Sequence, residues 1–146
     1  MKTPIKFLTI SFLALSVSLS SCNKSEEEIA PQQTNTATLN SAEFRVVQNF
    51  INAINANDRT AGLALVSTNA GYAYSLTGSL NTGNSFRNWL ESDLFGPRAV
   101  VNIERASQNG NVVRIQGRWG RNGIANNAAD YYFTVENGLI TAWRLV

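Results

Sequence analysis

Tyr131-Tyr132-Phe133-Thr134-Val135-Glu136-Asn137-Gly138-Leu139-Ile140-Thr141-Ala142-Trp143-Arg144 is the stretch on which the fold turns. Its two arms are rich in β-branched and aromatic residues, and Asn137-Gly138 between them suits a two-residue turn in which both positions take positive φ. An antiparallel hairpin is therefore predicted. Extended by Asp130 and Leu145, strict alternation puts Asp130, Tyr132, Thr134, Thr141, Trp143 and Leu145 on one face. Tyr131, Phe133, Val135, Ile140, Ala142 and Arg144 then fall on the other. Neither face is polar enough to rest in water, so one is expected to cover a core or cavity and the other to meet something else, such as a second subunit.

Working back along the chain, Asn109-Gly110 marks an earlier hairpin of the same kind. Centring that turn pairs Ala106 with Val113, Glu104 with Ile115, Asn102 with Gly117 and Val100 with Trp119 on the expected interior face. The reverse face would carry Arg105 opposite Arg114, and like charges directly opposed imply a wet surface. Before residue 98 the period is helical. Asn40 and Glu43 form a capping box, after which Phe44, Val47, Phe50, Ile51 and Ile54 share one helix face. Asp58 is the expected cap of a second helix that turns Leu63, Ala64 and Val66 inward. A short strand is expected around Tyr72 to Thr77, and a loop over Gly78 to Asn84. Ser85 then caps a third helix that buries Phe86, Trp89, Leu90 and Leu94 and stops at Gly96-Pro97.

The first 21 residues read as a signal peptide. Lys2 and Lys6 are followed by an uncharged apolar stretch from Phe7 to Leu19, shorter than the roughly 20 residues a membrane-spanning helix needs. Leu19-Ser20-Ser21-Cys22 resembles the lipobox of bacterial lipoproteins, which implies cleavage before Cys22 and acylation of its thiol. Cys22 is the sole cysteine, so no disulfide can form within the chain. Lys2 and Lys6 leave with the leader, which reduces twelve basic side chains to ten against ten acidic ones. Nothing in that balance suggests nucleic acid. Residues 22–40 read as the acylated cysteine and a polar tether, with acidic Glu26 to Glu28 resembling the surface-export signals of some bacterial lipoproteins. The expected location is a bacterial membrane, on the periplasmic or surface face of the outer membrane, held there by the lipid on Cys22.

Helix, helix, strand, helix and then long antiparallel strands resembles the nuclear transport factor 2-like superfamily. Residues Tyr131 to Arg144 look like the closing hairpin of its SnoaL-like cyclases and ketosteroid isomerases. The resemblance covers residues 41–146 and implies an α+β domain, with a cone-shaped, strongly curved antiparallel sheet wrapped around about three N-terminal helices. It places Asp130 where ketosteroid isomerases keep a neutral acid as oxyanion donor, whereas the family's helix tyrosine falls at Ile51 and its base near Tyr74 or Ser75. Asp130 is therefore the one catalytic candidate. Tyr72, Tyr74, Trp89, Glu104, Trp119, Asp130, Tyr132 and Trp143 are the candidates to line a ligand pocket.

Other chemistries lose their groups. The chain has no histidine, which removes the triad and most transition-metal sites, and no glycine-rich phosphate loop follows a strand. No metal or cofactor is expected. All nine basic residues of the domain are arginine, a residue suited to carboxylate, phosphate or anionic glycan. Three readings follow: a membrane-tethered cup for a small, partly apolar ligand, a cyclase or isomerase using Asp130, and an interaction domain that dimerises through Tyr131, Phe133, Val135 and Ile140.

Overall fold

The structure is a computed structural model that describes residues 40–146. The leader, Cys22 and the tether through residue 39 lie outside the described residues. No helix among the described residues is long and apolar enough to cross a membrane.

Helix α1 (Ala42–Asn55) opens on Ser41, whose Oγ accepts from the Phe44 N–H at 2.9 Å. The cap is thus one residue later than the capping-box spacing predicts, and Asn40 instead accepts from the Arg45 guanidinium at 3.2 Å. The expected apolar face is buried at Val47, Phe50, Ile51 and Ile54, with Phe44 half-buried. At the far end Asn57 turns left-handed at φ 53°. The Asp58 N–H reaches the Ala53 carbonyl at 2.8 Å and the Asn57 N–H reaches Ile54 at 2.9 Å, a Schellman closure. Asp58 then accepts from the Ala61 N–H at 3.0 Å, so the residue that closes α1 also opens α2 (Arg59–Ala64). With only six residues, α2 buries Gly62 alone. Leu63 is half-buried, Ala64 exposed and Val66 already in a strand, in place of the inward stripe expected.

Strand β1 (Val66–Ala73) lies earlier than the predicted strand, and β2 (Asn81–Thr82) is a two-residue edge. Helix α3 (Asn84–Trp89) is capped at Gly83 and not at Ser85, and runs into a π-helical segment, Leu90–Phe95. Together these bury Phe86, Trp89, Leu90 and Leu94 as the spacing predicts. Strands β3 (Val100–Asn109), β4 (Val112–Arg121), β5 (Ile124–Glu136) and β6 (Leu139–Leu145) complete a six-stranded sheet in the order β2-β1-β6-β5-β4-β3. Every pairing is antiparallel except β1 with β6, which is parallel, so the domain is α+β with one curved, mixed sheet against its helices.

The closing hairpin turns at Asn137 and Gly138, both at positive φ (51° and 76°), as predicted. Its faces differ from strict alternation because of a bulge. Val135 pairs with Ile140 but Thr134 pairs with Ala142, leaving Thr141 as the extra residue. A one-residue insertion moves every later side chain to the opposite face. Trp143 therefore joins Phe133 on the inside. Tyr131, Phe133, Val135 and Ile140 are buried there at 5%, 0%, 3% and 0% exposure, which corrects the expected dimer face: these side chains are core and cannot meet a second subunit.

The β3–β4 hairpin also departs from expectation. Asn109 pairs with Val112, so the loop is Gly110-Asn111 with positive φ at Gly110 alone (57°). Ala106 then faces Ile115, and a bulge between Ile103 and Arg105 swaps faces so that Ile103 meets Gly117 and Val101 meets Trp119. Arg105 lies opposite Gln116 and not Arg114, which removes the expected repulsion.

Strand β3 is the free edge of the sheet, and α1 guards one end of it. The Asn55 side chain donates to the Val101 carbonyl at 2.9 Å and accepts from the Val101 N–H at 2.7 Å, as a neighbouring strand would. Val101 is buried, so truncation would leave two backbone groups without partners. Asn55→Ala should cost about 1–3 kcal/mol in urea unfolding, and a loss below about 0.5 kcal/mol would mean that water takes over both bonds.

Candidate functional site

The concave face is a row of alternate side chains: Val113, Ile115, Gly117 and Trp119 on β4 opposite Phe133, Tyr131, Ala129 and Asn127 on β5. Burial falls along it. Phe133 and Val113 are 0% exposed and Ala129 is 7%, beyond which Trp119 is half-buried and Asn127 exposed. One end of the cup is sealed by packed side chains and the other is open.

At the open end lies a groove of about 410 Å³, lined by Trp119, Arg121, Ile124, Asn126 and Asn127. The Arg121 guanidinium sits 5.8 Å from the centroid of the Trp119 ring and is held by Asp93 at 2.9 Å. Ile124 offers a bare apolar side chain at 64% exposure. The Asn127 Nδ2 donates to the Trp119 carbonyl at 3.4 Å and to the Asn126 Oδ1 at 3.0 Å. The Asn127 Oδ1 and the Asn126 Nδ2 are left without partners among the described residues. An indole and a branched aliphatic chain beside a free amide acceptor and a free amide donor can hold an apolar ring that carries a polar edge.

The other predicted pocket residues are distributed elsewhere. Tyr72, Trp89 and Trp143 are brought together, but against one another. Tyr72 stacks on Trp89 (4.6 Å, 11°), and Trp89 meets Trp143 edge-on (4.9 Å, 86°). Tyr74 is 65% exposed and accepts the Trp89 indole N–H at 2.8 Å. The Trp143 indole N–H has no hydrogen-bond partner. Phe50, Trp89 and Tyr131 pack near-perpendicular to its ring. Burial pushes the Tyr131 hydroxyl well above the ordinary tyrosine range, so it stays protonated.

Glu104, expected to face Ile115, sits in the β3 bulge, exposed, and pairs with Arg118 at 3.3 Å on the outer surface. Asp130 and Tyr132 are also corrected. Alternation on β5 turns both to the outer face, where the Arg114 Nε donates to Asp130 Oδ1 at 2.9 Å and the guanidinium lies 5.2 Å from the Tyr132 ring centroid. Gln116 adds a bond to Asp130 at 3.4 Å. The Arg114 hydrogen bonds hold the Asp130 carboxyl below the usual carboxylate range, the reverse of a neutral oxyanion donor. Because the folded value is depressed, the ionised carboxylate stabilises the fold above its unfolded value of about 3.9, and that contribution is lost as pH falls through the lower folded value. Asp130→Asn should therefore lower the melting temperature at pH 7, and the gap to the wild type should close in acid. A gap that stays constant to pH 2 would contradict the pairing.

Arg121, Ile124, Asn126 and Asn127 were not among the expected site residues. The signal for them is a third Asn-Gly pair, Asn122-Gly123, with φ of 55° and 80°, which turns β4 into β5 and sets Arg121 opposite Ile124.

No family model matches this chain, and no curated protein does. Solved structures match it in fold. An NTF2-like protein of unknown function from Cytophaga hutchinsonii aligns with a TM-score of 0.59 at 21% identity, over 71% of this chain and 88% of that one. RV0760c from Mycobacterium tuberculosis, in complex with estradiol-17beta-hemisuccinate, aligns at 0.59 and 18% identity over 72% and 92%. A computationally designed 17-OHP binder aligns at 0.61 and 19% identity over 73% and 90%. The domain has the NTF2-like fold.

Proposed function

We propose that this chain is an exported lipoprotein, acylated at Cys22 and carried on a polar tether over residues 22–40. Its domain, residues 41–146, holds a small, partly apolar molecule against Trp119. The observation that carries the binding site is the opening of the concave face into a groove where Trp119, Ile124 and the two asparagine amides face one space. The apolar body of a ligand would lie on Trp119 and Ile124, and its polar edge would meet the free amide groups. Two proteins of the same fold, RV0760c and the designed 17-OHP binder, are described with steroid ligands, which supports a ligand of this size and character. Asp130 is not suited to isomerase chemistry as a neutral donor, because its carboxylate is charged, paired and on the far side of the sheet.

The lipid anchor rests on the order of the leader: basic residues, apolar stretch, then Leu19-Ser20-Ser21-Cys22. At the outer membrane such an anchor would keep the groove at a lipid surface without any basic patch.

Titration of the full-length chain with estradiol-17β-hemisuccinate, followed by tryptophan fluorescence, tests the groove. Saturable quenching is expected for the wild type and at least a ten-fold weaker response for Trp119→Ala. An equal response from the variant would move the site away from Trp119. The mass of the membrane-extracted chain, compared with Cys22→Ala, tests the anchor: a diacylglyceryl increment that is absent from the variant is expected, and an unmodified wild type would contradict it.

A further inference from the structure

A second cleft, of about 350 Å³, lies where the end of α1, the corner before β3 and the β4–β5 turn meet. Its floor is apolar, with Ile54 and Ala99 each 1% exposed. Its rim carries Asn57, Arg98 and Asn122, and no acidic side chain lines it. All three rim residues have left-handed backbones, at φ 53°, 53° and 55°. Asparagine takes that conformation readily and arginine does not.

The corner at Arg98 is held by backbone bonds alone. The Arg98 N–H donates to Phe95 at 3.2 Å, the Ala99 N–H to Leu94 at 2.7 Å and the Asn122 N–H to the Pro97 carbonyl at 3.1 Å. Among the described residues the Arg98 guanidinium makes no ion pair and no hydrogen bond, and the side-chain amides of Asn57 and Asn122 are equally unengaged. The rim therefore presents one uncompensated cation and two amides around an apolar floor. Across from Arg98 the carbonyl end of α1 is partially negative, which suits hydroxyl donors and disfavours a second anion.

We infer that this cleft binds an acidic sugar. The carboxylate takes the forked guanidinium of Arg98, which matches it bidentately. The ring lies over Ile54 and Ala99, and the hydroxyls meet Asn57, Asn122 and the carbonyls of Asn55 and Ala56, which the closure of α1 leaves without a backbone partner. The cleft shares no lining residue with the Trp119 groove, although both border the β4–β5 turn, and the proposed function does not use its residues.

The test uses the full-length chain in detergent micelles, with D-glucuronate as probe and D-glucose and acetate as controls, followed by amide chemical shifts. Glucuronate should bind at least ten-fold more tightly than either control, with shifts centred on Asn57, Asn122 and Gly123. Arg98→Gly should lose at least ten-fold in affinity while its melting temperature is no lower, because glycine adopts this φ without strain. Arg98→Lys, which keeps the charge but not the fork, should fall between them. Glucuronate binding no tighter than glucose, or an Arg98→Gly variant that binds like the wild type, would overturn the inference.

Discussion

Trp143→Ala should lower the unfolding free energy by about 3–5 kcal/mol, a large part of the 5–15 kcal/mol that holds a domain of this size. The ring is 1% exposed and packs against Phe133 at 4.8 Å, Trp89 at 4.9 Å, Tyr131 at 5.3 Å and Phe50 at 5.6 Å. Four aromatic neighbours belonging to α1, α3 and β5 cannot all move in to refill the space, so most of the cavity should persist. Trp143→Phe removes an indole N–H that has no partner along with some volume, and should cost far less, about 1 kcal/mol. Urea unfolding of both variants reads the difference. A loss under about 1 kcal/mol for the alanine variant would mean that the ring lines a space its surroundings can fill and is not central packing.

Gly117→Ala should be the second costly change, although it adds a single methyl. A Cβ at this position would run into the Asn102 carbonyl oxygen and lie 3.0 Å from the Glu104 nitrogen. Both obstacles are backbone atoms of the β3 bulge and cannot swing aside as a side chain could. The expected cost is about 1–3 kcal/mol, with amide shifts concentrated in residues 101–105. The bulge turns Glu104 outward and Ile103 and Val101 inward, so a variant that straightened β3 would also disturb the floor beside Trp119. Stability equal to the wild type would show that β3 does not press on β4 at this point.

Much of the fold is legible in the sequence because it depends on periodicity and on turn chemistry. The three-and-four spacing of Val47, Phe50, Ile51 and Ile54 has one physical solution, an inward helix face, and Asn137-Gly138 has one favoured hairpin geometry. Faces within the sheet are less legible, because a bulge changes one residue's pairing and leaves the composition of the strand untouched. Thr141 and Glu104 are unremarkable in sequence, yet the bulges beside them decide that Trp143 points inward and Glu104 outward. The placement of Asp130 has a related cause. Its neighbour Arg114 is sixteen residues away, and only the β4–β5 register, set by Asn122-Gly123, brings the two together. The groove shares that dependence: Arg121, Ile124, Asn126 and Asn127 flank this turn, and of the site residues only Trp119 stands out by residue type alone.

The most direct test of the binding groove is an amide chemical-shift screen of the full-length chain with several hundred small, partly apolar fragments. Saturable shifts are predicted to gather at Trp119, Asn126, Asn127 and Ala129 and to be absent in Trp119→Ala. Hits that gather instead around Tyr72 and Trp89, or no saturable hit anywhere on the concave face, would contradict it.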